Sequence, residues 1–83
     1  MDGGCGLWYV TFPSTFWALR AEKALVRRGF RARLRPVPRI LSSSCGLALE
    51  VCETTEEDLA SGLREEAIQF EGIYLLPDRR DVR

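Results

Sequence analysis

The chain has 83 residues, no histidine, and twelve basic side chains that cancel twelve acidic ones. The length fits one small domain burying only about 60% of the surface of its unfolded chain, with no room for a deep two-domain cleft. Without histidine there is no Ser-His-Asp triad, no Cys-His dyad and no histidine metal ligand, and balanced charge argues against a general nucleic-acid or membrane-surface binder.

Taken in chain order, Gly6 to Phe12 is aromatic and β-branched and reads as a strand ended by Pro13. Ser14 or Thr15 caps a helix running to Arg28, with Trp17, Ala18, Ala21, Ala24 and Leu25 at helical spacing and Gly29 placed to close it. Phe30 to Arg35 alternates apolar residues with arginine, as in a half-buried strand. Pro36 to Ser44 is a linker whose prolines and serines oppose regular structure. Leu47 to Cys52 is a second alternating strand, with Leu47, Leu49 and Val51 on one face. Thr54 and Glu57 have the spacing of a capping box, opening a helix with an inner stripe of Leu59, Ala60, Leu63 and Ala67. Phe70 to Leu76 is the last strand, ended by Pro77. The expected ordered core is about 6–77 of a single domain 1–83, with 78–83 a short polar tail.

The order β-α-β-β-α-β is the ferredoxin-like pattern of the α+β class. Right-handed crossovers predict a four-stranded antiparallel sheet in the order 4-1-3-2 with both helices on one face.

The zero net charge hides a segregation. Arg20 to Arg39 holds eight basic residues against Glu22 alone, and Glu50 to Glu71 holds eight acids against Arg64 alone. The two stretches are expected to pair, within the domain or between subunits. A basic face for an anionic partner is the sharper alternative.

Three cysteines form no disulfide framework, and the cytoplasm is the expected compartment. No apolar run approaches the roughly 20 residues of a membrane span, and no signal-peptide pattern opens the chain. The antiparallel topology puts Cys45 beside the Phe12-Pro13-Ser14-Thr15 turn, near the N-terminus of the first helix. A helix N-terminus and a nearby arginine, here Arg39, both favour a thiolate. Ser42, Ser43, Ser44 and the backbone around Gly46 supply further donors. Such a constellation suits activation of a thiol without histidine; the alternative is that Cys45 is a small, half-buried residue starting a strand. Cys5 and Cys52 fall at the other end of the sheet, as two incidental thiols or an air-formed disulfide. No metal site is expected, because no Cys-x-x-Cys or histidine is present.

Four segments resemble a family of small bacterial proteins described as selenium/sulfur carrier-like, domain-of-unknown-function family 3343. They are Tyr9 to Thr15 (YVTFPST), Ala18 to Lys23 (ALRAEK), Pro38 to Leu49 (PRILSSSCGLAL) and Glu71 to Tyr74 (EGIY). The block of Pro38, Arg39, Ser42, Ser43, Cys45 and Gly46 is the most specific part. The resemblance implies that Cys45 carries sulfur or selenium as a persulfide or perselenide. It also implies a donor resembling a cysteine desulfurase or a selenium-metabolism protein. No cofactor is expected. Better-known small carriers place proline after the reactive cysteine, whereas here Gly46 follows.

Two other readings compete. In a non-covalent adaptor, the apolar loop residues Val37, Pro38, Ile40 and Leu41 dock a partner. In an RNA-binding sheet, Arg31, Arg33 and Arg35 share one face with a stacking ring from Tyr9 or Trp8. The strand-3 aromatics of such sheets are absent. The same open face also suits a homodimer.

Overall fold

Strand β1 (Leu7–Thr11) sends alternate side chains to opposite sides, and this alternation sets up the rest of the molecule. The computed structural model describes residues 7–76. After β1 come helix α1 (Thr15–Arg27), strands β2 (Arg31–Pro36) and β3 (Leu47–Cys52), helix α2 (Glu56–Glu65) and strand β4 (Gly72–Leu76). The strands form one sheet in the order β2-β3-β1-β4, which is the expected 4-1-3-2 read from the other edge. Every neighbouring pair is antiparallel. The arrangement is the ferredoxin-like α+β fold.

The core lies on one face of the sheet. Val10, Leu49 and Val51 project there and meet Ala18, Ala21 and Leu25 of α1 and Leu59 and Leu63 of α2, all fully buried. Trp8, Ala32, Leu34 and Ile73 extend the same surface. Burying a side chain the size of Leu25 or Leu59 contributes about 1.5–3 kcal/mol, and this term holds both helices down. Gly62 permits a close approach of α2 to α1. A Cβ there would sit 3.2 Å from Leu25 Cδ2 and 3.3 Å from the Phe30 ring.

Both helices close by the same device. After α1, the Gly29 amide reaches the Val26 carbonyl and the Phe30 amide reaches that of Leu25. After α2, the Ala67 amide reaches Arg64 and the Ile68 amide reaches Leu63. These are paired Schellman bonds, and each needs a left-handed residue. Gly29 has φ +94° and Ala67 has φ +58°. This corrects the expected inner stripe of α2. Ala67 lies beyond the helix and is exposed, while Gly62 and Ile68 take the buried positions.

Other boundaries also differ: β1 ends at Thr11 rather than Phe12, and α1 at Arg27 rather than Arg28. The cap of α2 is Thr55, not Thr54, because the Thr55 hydroxyl accepts from the Asp58 amide at 3.1 Å. Strand β2 runs one residue later than expected, to Pro36. Strand β4 begins at Gly72 rather than Phe70, since pairing with β1 starts where Gly72 meets Thr11.

The other face of the sheet carries Arg31, Arg33 and Arg35, with Glu50 directly opposite Arg33. Tyr9 also belongs to this face, but it is only 7% exposed and donates its hydroxyl to Glu50 at 2.9 Å. Trp8 points to the helix side, where its indole N–H donates to the Thr54 carbonyl. Neither ring stands free as the stacking platform considered above.

The segregated charges meet within the chain. Arg28 grips both Glu65 and Glu66, Arg27 approaches Glu66 at 3.7 Å, and Arg31 approaches Glu53 at 3.8 Å. The hydrogen bonds that Arg28 donates to Glu66 and then to Glu65 raise its guanidinium above its ordinary value.

Candidate functional site

Cys45 stands at the end of the sheet where β1 leaves for α1 and β2 turns back into β3. The ladder between β2 and β3 extends one step past the strands, with the Val37 amide donating to the Gly46 carbonyl. This closes residues 38–45 into a loop. Its first part is a turn, because the Leu41 amide donates to the Pro38 carbonyl at 3.0 Å. Arg39 and Ile40 form the tip of that turn and are exposed, Ile40 by 77%. Val37, Pro38 and Leu41 are half-buried.

The thiol is held inward. Cys45 is 7% exposed and belongs to the same cluster as Phe12 and Leu49. Its alternation with Leu47 and Leu49 explains this, since all three project toward the helix side. The Leu47 amide donates to Cys45 Sγ at 3.3 Å, and the thiol donates to the Leu47 carbonyl at 3.4 Å. The amide can serve the sulfur in either protonation state, whereas the carbonyl can only accept from a thiol. Gly46 is exposed beside it. A Cβ placed on Gly46 would meet nothing within 4 Å, so the approach along that flank is open.

The serines work differently from the expectation. They do not donate to the sulfur; Ser43 and Ser44 turn to Glu71, the residue before β4. Ser44 donates its hydroxyl to Glu71 Oε2 at 2.6 Å and its amide to Oε1 at 3.2 Å. Ser43 Oγ lies 3.2 Å from Glu71 Oε1 and 3.1 Å from the Phe12 carbonyl oxygen, and it accepts the Cys45 amide at 3.3 Å. The Ser44 hydroxyl, then its amide, hold the Glu71 carboxyl below its ordinary range. Glu71 is anchored in turn, its amide donating to the Thr11 carbonyl.

The remaining expected residues surround this cluster without touching the sulfur. Ser42 is exposed. Arg39 makes no hydrogen bond or ion pair among the described residues, and the turn carries it to the loop tip. Ser14 has the extended conformation of an N-cap, but its side chain makes no capping bond, and Pro13 and Thr15 are exposed. Sequence reading missed Glu71. The signal for it was available: β4 runs antiparallel to β1, so its start must lie at the Cys45 end of the sheet.

The opposite end holds an open cleft of about 620 Å³ lined by Arg28, Arg31, Glu53 and Asp58 among others. Its arginines are already paired with carboxylates. Cys52 lies at that end as a free, half-buried thiol, and the expected approach of Cys5 falls outside the described residues. Among the described residues no cluster of three metal-ligating side chains occurs, and no helix is long and apolar enough to cross a membrane.

The sequence matches the family described as "Putative Se/S carrier protein-like" over residues 3–75. The chain belongs to this family. No curated protein and no solved structure matches it.

Proposed function

We propose that the protein is a thiol carrier in which Cys45 accepts a sulfane sulfur or selenium atom from a donor protein and passes it to an acceptor. Family membership across residues 3–75 carries the reading. The free thiol of Cys45, presented next to the open flank of Gly46, supports it. In the loading step the Cys45 thiolate attacks the terminal sulfur of a donor persulfide. A sulfur–sulfur bond forms on Cys45, the donor's own sulfur–sulfur bond breaks, and the donor cysteine leaves as a thiolate that takes up the proton Cys45 gave away. Unloading reverses the roles: an acceptor nucleophile attacks the terminal sulfur and Cys45 is the leaving thiolate. No outside oxidant or reductant is consumed. The fold places the thiol at one end of the sheet, and the donor, resembling a cysteine desulfurase, supplies the rest of the active site.

The test uses a cysteine desulfurase charged with radiolabelled cysteine. The wild type and the Cys5→Ser and Cys52→Ser variants are expected to take up label that a reductant removes, while Cys45→Ser takes up none. Equal labelling of all three variants, or no labelling of the wild type, overturns the proposal.

Ile40 favours a second reading. A large apolar side chain 77% exposed at a loop tip suits a docking contact in a non-covalent adaptor. Unchanged partner binding after alkylation of Cys45 supports the adaptor over the carrier.

A further inference from the structure

Cys45 is buried on its core side while the loop that carries it is fastened from outside by one carboxylate. We propose that Glu71 is a latch: it holds the Ser43–Ser44 segment closed over the thiol, and loading of Cys45 requires that segment to let go. This rests on the carrier reading of Cys45.

The geometry carries the inference in three steps. First, a residue only 7% exposed in the hydrophobic cluster leaves its sulfur little room for an added sulfur atom or an incoming nucleophile. Second, the groups next to Cys45 are fixed to a distant part of the chain. Ser44 gives Glu71 both its amide and its hydroxyl, and Ser43 shares its proton between Glu71 and Phe12. Charge-assisted bonds of this kind are the stronger ones, and three converge on one carboxylate. Third, few backbone bonds tie the rest of the loop. Its other backbone ties are the Pro38–Leu41 turn and the Val37–Gly46 rung, which leaves the Glu71 contacts as the chief fastening on the Cys45 side. Glu71 itself cannot follow the loop outward, because its amide is bound to Thr11 at the end of β1. Glu71 is therefore a positioning residue that acts on the thiol through Ser43 and Ser44.

The experiment measures the alkylation rate of Cys45 by iodoacetamide in a chain with Cys5→Ser and Cys52→Ser, so that one thiol reacts. Glu71→Ala is expected to raise that rate about five- to tenfold, and Ser44→Ala to raise it in the same direction. Combining the two adds little beyond the larger single effect, because both remove the same contact. A reference chain with Cys5→Ser and Cys45→Ser reports on Cys52, whose rate stays constant under Glu71→Ala; general loosening of the fold raises both rates instead and overturns the proposal. So does a Cys45 rate within twofold of wild type in both Glu71→Ala and Ser44→Ala. Alkylation reads access to the thiol and needs no sulfur donor. A failure of the latch is thus separable from a failure of the carrier reading, which shows in the labelling of Cys45→Ser.

Discussion

Gly46 is the residue whose presence the folded chain does least to explain. It has no positive φ, and a methyl group there would touch nothing within 4 Å. Neither backbone conformation nor packing demands glycine, so its value lies in what approaches from outside. Gly46→Ala is therefore expected to leave stability unchanged or raise it by about 0.4–1 kcal/mol, through the smaller entropy of the unfolded chain. Uptake of sulfur from a protein donor is expected to fall several-fold in the same variant, while alkylation by a small reagent does not. Urea titration and the two rate measurements check this together, and an uptake rate equal to wild type removes the argument for a donor at that flank. Arg39 shows the converse case. Its place in the same loop as Cys45 suggested a partner for the sulfur, but the turn that begins at Pro38 takes its side chain to the loop tip.

At the level of elements, much was legible because periodicity and punctuation agreed. Strand β3 was found from its alternation at Leu47, Leu49 and Val51, and α1 from its spacing and from Gly29. The end of α2 was not legible, because alanine occupies the position where a stop signal is read. Leu63 and Ala67 are four apart and look like one helical stripe, yet the chain leaves the helix between them. The structure makes Ala67 the exact counterpart of Gly29, with the same pair of Schellman bonds but a Cβ in the left-handed region. That conformation costs a non-glycine residue about 1–2 kcal/mol. Ala67→Gly is expected to stabilise the protein by about 1 kcal/mol, visible as a higher urea midpoint with an unchanged slope. Gly29→Ala is expected to destabilise it by a similar amount, which confirms that the two helix ends obey one rule. A loss of stability in Ala67→Gly contradicts this account of the helix end.

The whole molecule brings together what the chain keeps apart. Its basic and acidic stretches close on each other through Arg28, Glu65 and Glu66 at one end of the sheet, as the charge count suggested. At the other end, the Cys45 loop meets Glu71 across a separation of 27 residues from Ser44. That second contact follows from the antiparallel topology rather than from residue spacing; it exists only once β4 has paired with β1. It also gives the protein a pH signature. The folded chain holds the Glu71 carboxyl below its ordinary value of 4.5, chiefly through the Ser44 hydroxyl and amide. A carboxyl depressed in the folded state binds its proton less readily than in the unfolded chain. Its contribution to stability is therefore fully present above the ordinary carboxylate value, and it disappears as pH falls through the folded one. The raised value of Arg28 has the opposite sign: its contribution is present below the ordinary guanidinium range and is lost only above it, outside the range of ordinary measurements. With no histidine in the sequence, the side chain that normally titrates between pH 5 and 8 is missing as well. Stability is thus expected to fall on the acid side of pH 4.5, and Glu71→Gln to make that acid limb shallower while leaving the profile near neutral pH parallel to wild type. Urea midpoints measured from pH 3 to pH 7 check both parts. An acid limb of unchanged steepness in Glu71→Gln means that the serines do not distinguish the charged carboxylate from its neutral form, and the loop is then fastened by something other than the charge on Glu71.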